Sequence, residues 1–262
     1  MPSVLVVGDA HVDDQQDLRR FRHLSNYLVQ HQPDYIVIIG DFLSLNCLSE
    51  WDRNKRMKME NRRYWKEIEA GNSALDLLEG AINKYNAEQT KCSKTRRKPT
   101  YKPFKVYVKG NHENRLDRYL DSDPVFAGVV SIEEDLKLVE RGWGVVDYKE
   151  DYIIDGVSFT HIPINAMGKA IGNPTVSQKA LRLYANSVVF GHTHTFDHAG
   201  EHKRNSKHLN QALSVGCFFE HVDEYAIGSK TDYWRGIVEL NVYSTNRFDI
   251  KTVAMSQLLK EY

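Results

Sequence analysis

Apolar residues in the first part of the chain alternate between short unbroken runs and longer stretches of helical spacing. Val4-Leu5-Val6-Val7 and Tyr35-Ile36-Val37-Ile38-Ile39 contain no polar residue, the composition of strands covered on both faces. Between them Leu18, Phe21, Leu24 and Leu28 recur every three or four positions, which predicts a helix from Asp14 to about Gln30 with one buried face. Pro33 and Asp34 end it. Strand, helix and strand joined this closely form a βαβ unit, so the two strands should be parallel neighbours. Val106-Tyr107-Val108 predicts a third strand, and Leu116, Tyr119 and Leu120 a helix soon after it.

Residues 44 to about 103 look like an insertion before that third strand. Asn61 to Tyr85 is amphipathic, with Tyr64, Ile68, Leu75, Leu78 and Ile82 on one face. From Lys91 to Lys102 the chain carries Lys91, Lys94, Arg96, Arg97, Lys98 and Lys102 without an acidic residue. Such a run is first a solvated loop and only second a contact for a polyanion. Further on, Ser131 and Glu134 have capping-box spacing and predict a short helix to about Val139. Gly144-Val145-Val146 predicts a strand, and Tyr152 to Thr160 a hairpin turning at Asp155-Gly156. A helix over about Thr175–Tyr184 leads to a strand at Val188-Val189-Phe190, and strands follow at 213–215, 236–240 and 248–250. No internal repeat or Pro/Gly/Ser linker divides the chain, so residues 1–262 read as one domain carrying a helical, basic insertion.

Charge narrows the function classes. Lys+Arg and Asp+Glu balance at 35 each in 262 residues, so no global field draws the protein to nucleic acid or membrane. That argues against a coating protein and leaves room for a locally basic groove. Cys47, Cys92 and Cys217 form no metal or disulfide pattern, which fits a reducing compartment. No signal peptide precedes the first strand, and no apolar stretch approaches the roughly 20 residues of a spanning helix. A soluble, cytoplasmic protein is expected.

Chemistry collects at five strand ends: Gly8-Asp9-Ala10-His11, Gly40-Asp41, Gly110-Asn111-His112-Glu113, His161, and Gly191-His192-Thr193-His194. Any one of these means little, since a lone histidine is more often structural than a ligand and Asn111 alone reads as a helix cap. Together they assemble carboxylate, imidazole and amide oxygen, the ligand set of Mn²⁺, Fe or Zn²⁺; the lack of Cys argues against a structural zinc. Asp9, His11, Asp41, Asn111, His161, His192 and His194 are too many for one tetrahedral ion. They suit two ions sharing a carboxylate. Two cations about 3.5–4 Å apart lower the pKa of a shared water and clamp phosphoryl oxygens.

In order, spacing and strand context these motifs resemble those of the calcineurin-like metallophosphoesterase superfamily, which includes phosphoprotein phosphatases, purple acid phosphatases, cyclic-nucleotide phosphodiesterases and double-strand-break repair nucleases. The compact form with a helical insertion most resembles phosphoesterases of bacteriophages, which would place it in the host cytoplasm. The resemblance implies an α/β fold, a four-layer α/β/β/α sandwich with mixed sheets and an insertion after the second strand. It implies one metal on Asp9, His11, Asp41 and His194, and a second on Asp41, Asn111, His161 and His192, with Asp41 bridging. Mn is the favoured ion, ahead of Fe, Zn or Ni. His112 would stabilise or protonate the leaving oxygen. The implied activity is hydrolysis of phosphodiesters, and of phosphomonoesters as a further class, by a metal-bridging hydroxide. A nuclease on DNA or RNA is the alternative, and a non-catalytic scaffold the distant one. Phosphate esters, nucleotides and nucleic acid are the partners implied, with no membrane and an open oligomeric state.

One departure stands out. Many members carry an Asp or His three residues after the bridging Asp, working with the motif histidine. Here that position is Ser44, so either another group orients His112 or its proton transfer is less critical. Arg115, one turn into the following helix, is a candidate for a substrate phosphate or a plain surface residue. Asn165 and Lys169 are candidates for the cleft wall, whereas His198, His202, His208 and His221 read as solvated or structural. Trp51, Trp65, Trp143 and Trp234 are too dispersed for a base-stacking platform and read as packing.

Overall fold

The short apolar runs become the central strands of two stacked sheets in the computed structural model, which describes residues 1–91, 99–172, 174–202, 208–221 and 232–262. The first sheet holds β1 (Ser3–Val7), β2 (Tyr35–Ile38), β3 (Phe104–Val108) and β4 (Trp143–Val146), together with β10 (Gly236–Tyr243) and β11 (Arg247–Ala254), in the order β11-β10-β1-β2-β3-β4. Its first four strands are parallel and the last two antiparallel. The second sheet orders β5 (Tyr152–Ile154), β6 (Val157–Thr160), β7 (Val188–Phe190), β9 (Leu209–Val215) and β8 (Phe196–His202) as β5-β6-β7-β9-β8, again mixed.

Period-two alternation decides which face each side chain takes. Val4, Val6, Val37, Ile39, Val106 and Val108 point inward and pack on Phe159, Val189, Leu213 and Val215 of the second sheet. Their neighbours Leu5, Val7, Ile36, Ile38 and Tyr107 point outward, onto Phe21, Leu24 and Leu28 of α1 (Arg19–His31) and Leu75, Leu78 and Ile82. On the far side Val188, Phe190 and Ala212 meet Val176, Ala180 and Leu181. The result is the expected four-layer α/β/β/α sandwich.

The insertion comprises a 3-10 turn (Asn46–Leu48), α2 (Arg56–Met59) and the long α3 (Tyr64–Lys91), whose predicted apolar face covers the first sheet. The basic run expected to end it falls largely on residues 92–98, outside the described residues. Three further helices follow: α4 (Asn114–Ser122), α5 (Ile132–Asp135) and α6 (Val176–Leu183). The seventh, α7 (Met255–Glu261), closes the described chain.

Local chemistry explains where pattern and structure part. Helix α1 begins at Arg19 because Asp13 and Asp17 take the amides of Gln15 and Arg19 into side-chain turns instead. Ser131 does cap α5, accepting from the Glu134 amide at 3.4 Å, but the helix stops after one turn where Lys137 adopts a left-handed φ of 54°. Strand β8 escapes the hydrophobic pattern because it is a sheet edge, with Asp197, His198, Glu201 and His202 facing water or half-buried. Cys47 is a free thiol. No helix among the described residues is long and apolar enough to cross a membrane.

Candidate metal centre

Seven side chains singled out in the sequence converge at one edge of the sandwich. Asp9 and His11 follow β1, Asp41 follows β2 and Asn111 follows β3; His161 follows β6, and His192 and His194 follow β7. The carboxylates are buried, Asp9 at 0% and Asp41 at 2% exposure. Around Asp9 Oδ2 lie His194 Nε2 at 2.9 Å and His11 Nε2 at 4.0 Å. Around Asp41 Oδ2 lie His161 Nε2 at 3.4 Å and His11 Nε2 at 3.8 Å. Asn111 Oδ1 is 3.0 Å from His161 Nε2. Donor atoms each about 2.1 Å from a common cation stand about 3–4 Å apart, so these spacings fit metal ligation. Asp9–His11–His194 and Asp41–His161–His192 form two such clusters, and a third, His11–Asp41–His112, ties the two together and includes His112.

Tight backbone geometry makes this convergence possible. His11, Asp41, His192 and His194 all have positive φ, between 46° and 66°. Left-handed backbone at non-glycine residues costs free energy and clusters where function demands it. Gly40 has φ 101°, and a Cβ there would meet the His161 ring at 2.4 Å. At Gly110 a Cβ would lie 2.1 Å from Asp41 Oδ1, so only glycine lets the β3 end reach the Asp41 carboxylate.

Hydrogen bonds outside the clusters aim the ligand atoms. His161 Nδ1 donates to the Ile39 carbonyl at 2.9 Å, which leaves Nε2 facing Asp41 and Asn111. Asp9 Oδ1 accepts from the His192 amide at 3.0 Å, linking the two sheets, and Asp41 Oδ1 accepts from the His112 amide at 2.8 Å. Glu113, fully buried, takes four donors: the amides of Asp41, Leu43 and Gly110 at 3.1, 2.9 and 2.8 Å, and the Tyr107 hydroxyl at 3.0 Å. Its sequence position showed no such role, because the loop it braces returns from a different strand.

The orientation of His112 has a main-chain answer. The Ser44 hydroxyl donates to the His11 carbonyl at 2.6 Å and so faces away from it. The Ser44 carbonyl instead lies 2.7 Å from His112 Nδ1, and a carbonyl only accepts, so Nδ1 carries the proton. Arg115 donates to the same carbonyl at 2.8 Å and places Nη2 3.0 Å from His112 Nε2. Arg115 is therefore half-buried beside the centre rather than a free surface cation. Asn111, with its oxygen on His161, does not cap α4.

Other candidates fall elsewhere. Asn165 folds its own turn, accepting from the amides of Met167 and Lys169. His198 lies beside Gln211 on the second sheet. His221 lies tilted against Phe219, which is 5.0 Å from the His11 ring, and Tyr233 packs edge-on against His194. These three line the centre without any local sequence signal.

Burial would raise the Asp41 carboxyl, but His112, His161 and His11 outweigh it and hold it well below the usual carboxylate range. For His161 burial acts to lower the pKa, yet the Asp41 carboxylate prevails and raises it to about 9. A cation binding at His161 Nε2 must therefore expel a proton at neutral pH. Since that proton is held below pH 9 and lost above it, affinity for Mn²⁺ should climb as pH rises towards 9, by up to about tenfold per unit. Calorimetric titration at pH 7 in buffers of different ionisation enthalpy should register proton release on binding; none would contradict this account.

Comparison with known proteins agrees with the geometry. The family of calcineurin-like phosphoesterases, Metallophos, matches residues 2–196. The chain belongs to the calcineurin-like phosphoesterase family. Its general class is thus a phosphoesterase hydrolase, with a residue set suited to divalent metal ions. No curated protein matches the sequence significantly. One solved structure is 14% identical, with 96% of this chain and 99% of that one covered at a TM-score of 0.35. Purple acid phosphatase PPD1 from yellow lupin (Lupinus luteus) seeds is 11% identical, with 97% of this chain and 52% of that one covered at a TM-score of 0.33.

Proposed function

We propose that this chain hydrolyses phosphodiester bonds at a centre of two divalent ions. Asp9, His11, Asp41 and His194 would hold one ion, and Asp41, Asn111, His161 and His192 the other. Mn is the favoured metal. When bound, such a pair makes water nucleophilic near neutral pH and neutralises charge on the phosphoryl oxygens. The single observation that carries the reading is the Asp41 carboxylate, buried between imidazoles from both sheets.

The remaining residues position and handle the proton. Glu113 fixes the backbone of Asp41 and Leu43, so the shared carboxylate cannot drift. Burial pushes His112 down to about 3, so the resting imidazole is neutral, with Arg115 supplying the positive charge beside it. Negative charge developing on the leaving oxygen acts in the opposite sense and favours protonation of Nε2. Once Nε2 has taken up a proton from solvent water, His112 donates it to that oxygen, while Arg115 engages a non-bridging phosphoryl oxygen.

Protein reloaded with Mn²⁺ should turn over bis(p-nitrophenyl) phosphate, with p-nitrophenyl phosphate as a second substrate. Inactivity on both with Mn²⁺, Fe, Ni²⁺ and Zn²⁺ would sink the proposal. Elemental analysis separates the scaffold reading, which expects no bound metal, from the enzyme reading, which expects two ions per chain.

A further inference from the structure

We infer that the exposed surface of residues 51–66 is a platform for single-stranded nucleic acid, delivering one strand to the cleft beside Asn111. This deepens the phosphoesterase reading, on which it rests, by naming its substrate class.

The four tryptophans do not share the packing role expected of them. Trp143 is buried, with its indole nitrogen donating to Glu79. Trp51 and Trp65 instead stand 83% and 60% exposed on the insertion, and Met57 between them is 89% exposed. Exposed apolar side chains grouped on one segment and rimmed by polar residues mark interaction surfaces. Seven basic residues (Arg53, Lys55, Arg56, Lys58, Arg62, Arg63 and Lys66) share this segment with two acidic ones, Asp52 and Glu60, in a chain that is neutral overall. Asp52 partners Lys55 at 2.7 Å and Arg62 at 4.0 Å, whereas Arg53, Arg56 and Arg63 have no acidic side chain in ion-pair range among the described residues.

Each indole already carries a cation over its face. Lys55 Nζ is 5.5 Å from the Trp51 ring and Lys66 Nζ 5.9 Å from the Trp65 ring. An aromatic face flanked by an ammonium matches a nucleotide, whose base stacks while its phosphate meets the charge. Base faces are available only in an unpaired strand; a duplex hides them in its stack.

Continuity with the metal centre selects nucleic acid over other polyanions. Trp51 lines a cleft of about 470 Å³ together with Ser49, Asn111, Arg115 and Arg118. A second groove, lined by Arg53, Arg56, Met57 and Arg63 and by one acidic residue, Glu60, lies on the next stretch of the same insertion. Arg118 pairs with Glu50 at the cleft wall, both side chains more than half exposed, so an incoming phosphate can take the place of that carboxylate. Arg53, Arg56 and Arg63 follow Trp51 along the insertion, and Trp51 lines the same cleft as Asn111, a proposed metal ligand. A strand laid along the insertion presents successive phosphates to arginines and one diester to the centre.

The test uses the full chain and a short fluorescein-labelled oligothymidine with phosphorothioate linkages, read by anisotropy. Trp51→Ala and Trp65→Ala should each weaken binding by about ten- to a hundredfold. Replacing Arg53, Arg56 and Arg63 together by Gln should flatten the dependence of log Kd on log salt by about 2. A duplex of the same length should bind more weakly by on the order of tenfold, having no base faces to offer. Circular dichroism of the variants checks that they fold. Absence of strand binding at low salt, variants that bind like the parent, or equal affinity for duplex would overturn the platform. So would capture of phosphatidylserine vesicles through Trp51 and Trp65 without oligonucleotide binding, which would make the patch a membrane contact. Parallel turnover of bis(p-nitrophenyl) phosphate with Mn²⁺ separates the failures. Turnover without strand binding overturns the platform alone, and strand binding without turnover overturns the phosphoesterase reading and the strand's standing as a substrate.

Discussion

Glu113→Ala should lower the free energy of unfolding by about 3–6 kcal/mol, because three buried backbone amides lose their acceptor at once and each orphaned donor costs about 1–3 kcal/mol. Burial, aided by the Asp41 charge, pushes the Glu113 carboxyl up, yet every contact it makes is with a donor, so it acts as an acceptor throughout. Removing it also frees the Asp41 and Leu43 backbone, and metal occupancy should fall with stability. Glu113→Gln keeps the size and one acceptor oxygen but turns an amide group towards two of the donors. It should fall between Ala and the parent. Urea unfolding together with elemental analysis checks both variants. If Glu113→Ala unfolds within about 0.5 kcal/mol of the parent, those amides have found water, and Glu113 is not what holds Asp41 in place.

His112→Gln should cost about 10²- to 10⁴-fold in turnover of bis(p-nitrophenyl) phosphate while both ions stay bound. The glutamine can still reach the Ser44 carbonyl, but it has no second ring nitrogen to receive a proton. Asn111→Ala has a different signature. It removes an oxygen 3.0 Å from His161 Nε2 and should lower the metal content from two ions to one. Elemental analysis beside steady-state kinetics distinguishes the two losses. Full activity in His112→Gln would mean that the metals act unaided, with the Ser44–His112–Arg115 arrangement merely structural.

Much of this was legible in the sequence because the signals are local. Unbroken runs such as Val4–Val7 mark doubly covered strands, and a glycine before four of the five polar strand ends marks the close approaches later seen at Gly40 and Gly110. Six of the candidate ligands fall into clusters at metal-ligand spacing, and Asn111 joins them through His161. What stayed hidden depends on where distant segments return. Ser44 looked like a missing partner for His112, but the partner is its carbonyl, and main-chain atoms have no residue letter. Glu113 was visible as a motif residue and invisible as the brace of a loop that starts at Asp41, on another strand. Trp51 and Trp65 read as packing residues in the sequence, whereas both are exposed on the insertion, because nothing in the sequence marks which indoles the core covers. Strand β8 was missed because an edge strand needs no apolar alternation.

The ligand candidates come from both sheets. Asp9, His11, Asp41 and Asn111 end strands of one, whereas His161, His192 and His194 end strands of the other. Elsewhere the sheets are joined mainly by apolar packing, which is non-directional and tolerates sliding. On the proposed assignment each ion is a clasp across this seam, fixing the two layers in one lateral register. At a free concentration 100 times its Kd an ion that binds only the folded chain adds about 2.7 kcal/mol to stability. The chemistry and the mechanical integrity of that edge would then rise and fall with the same metal supply, so a cell short of the metal loses both the activity and the firmness of the edge that houses it.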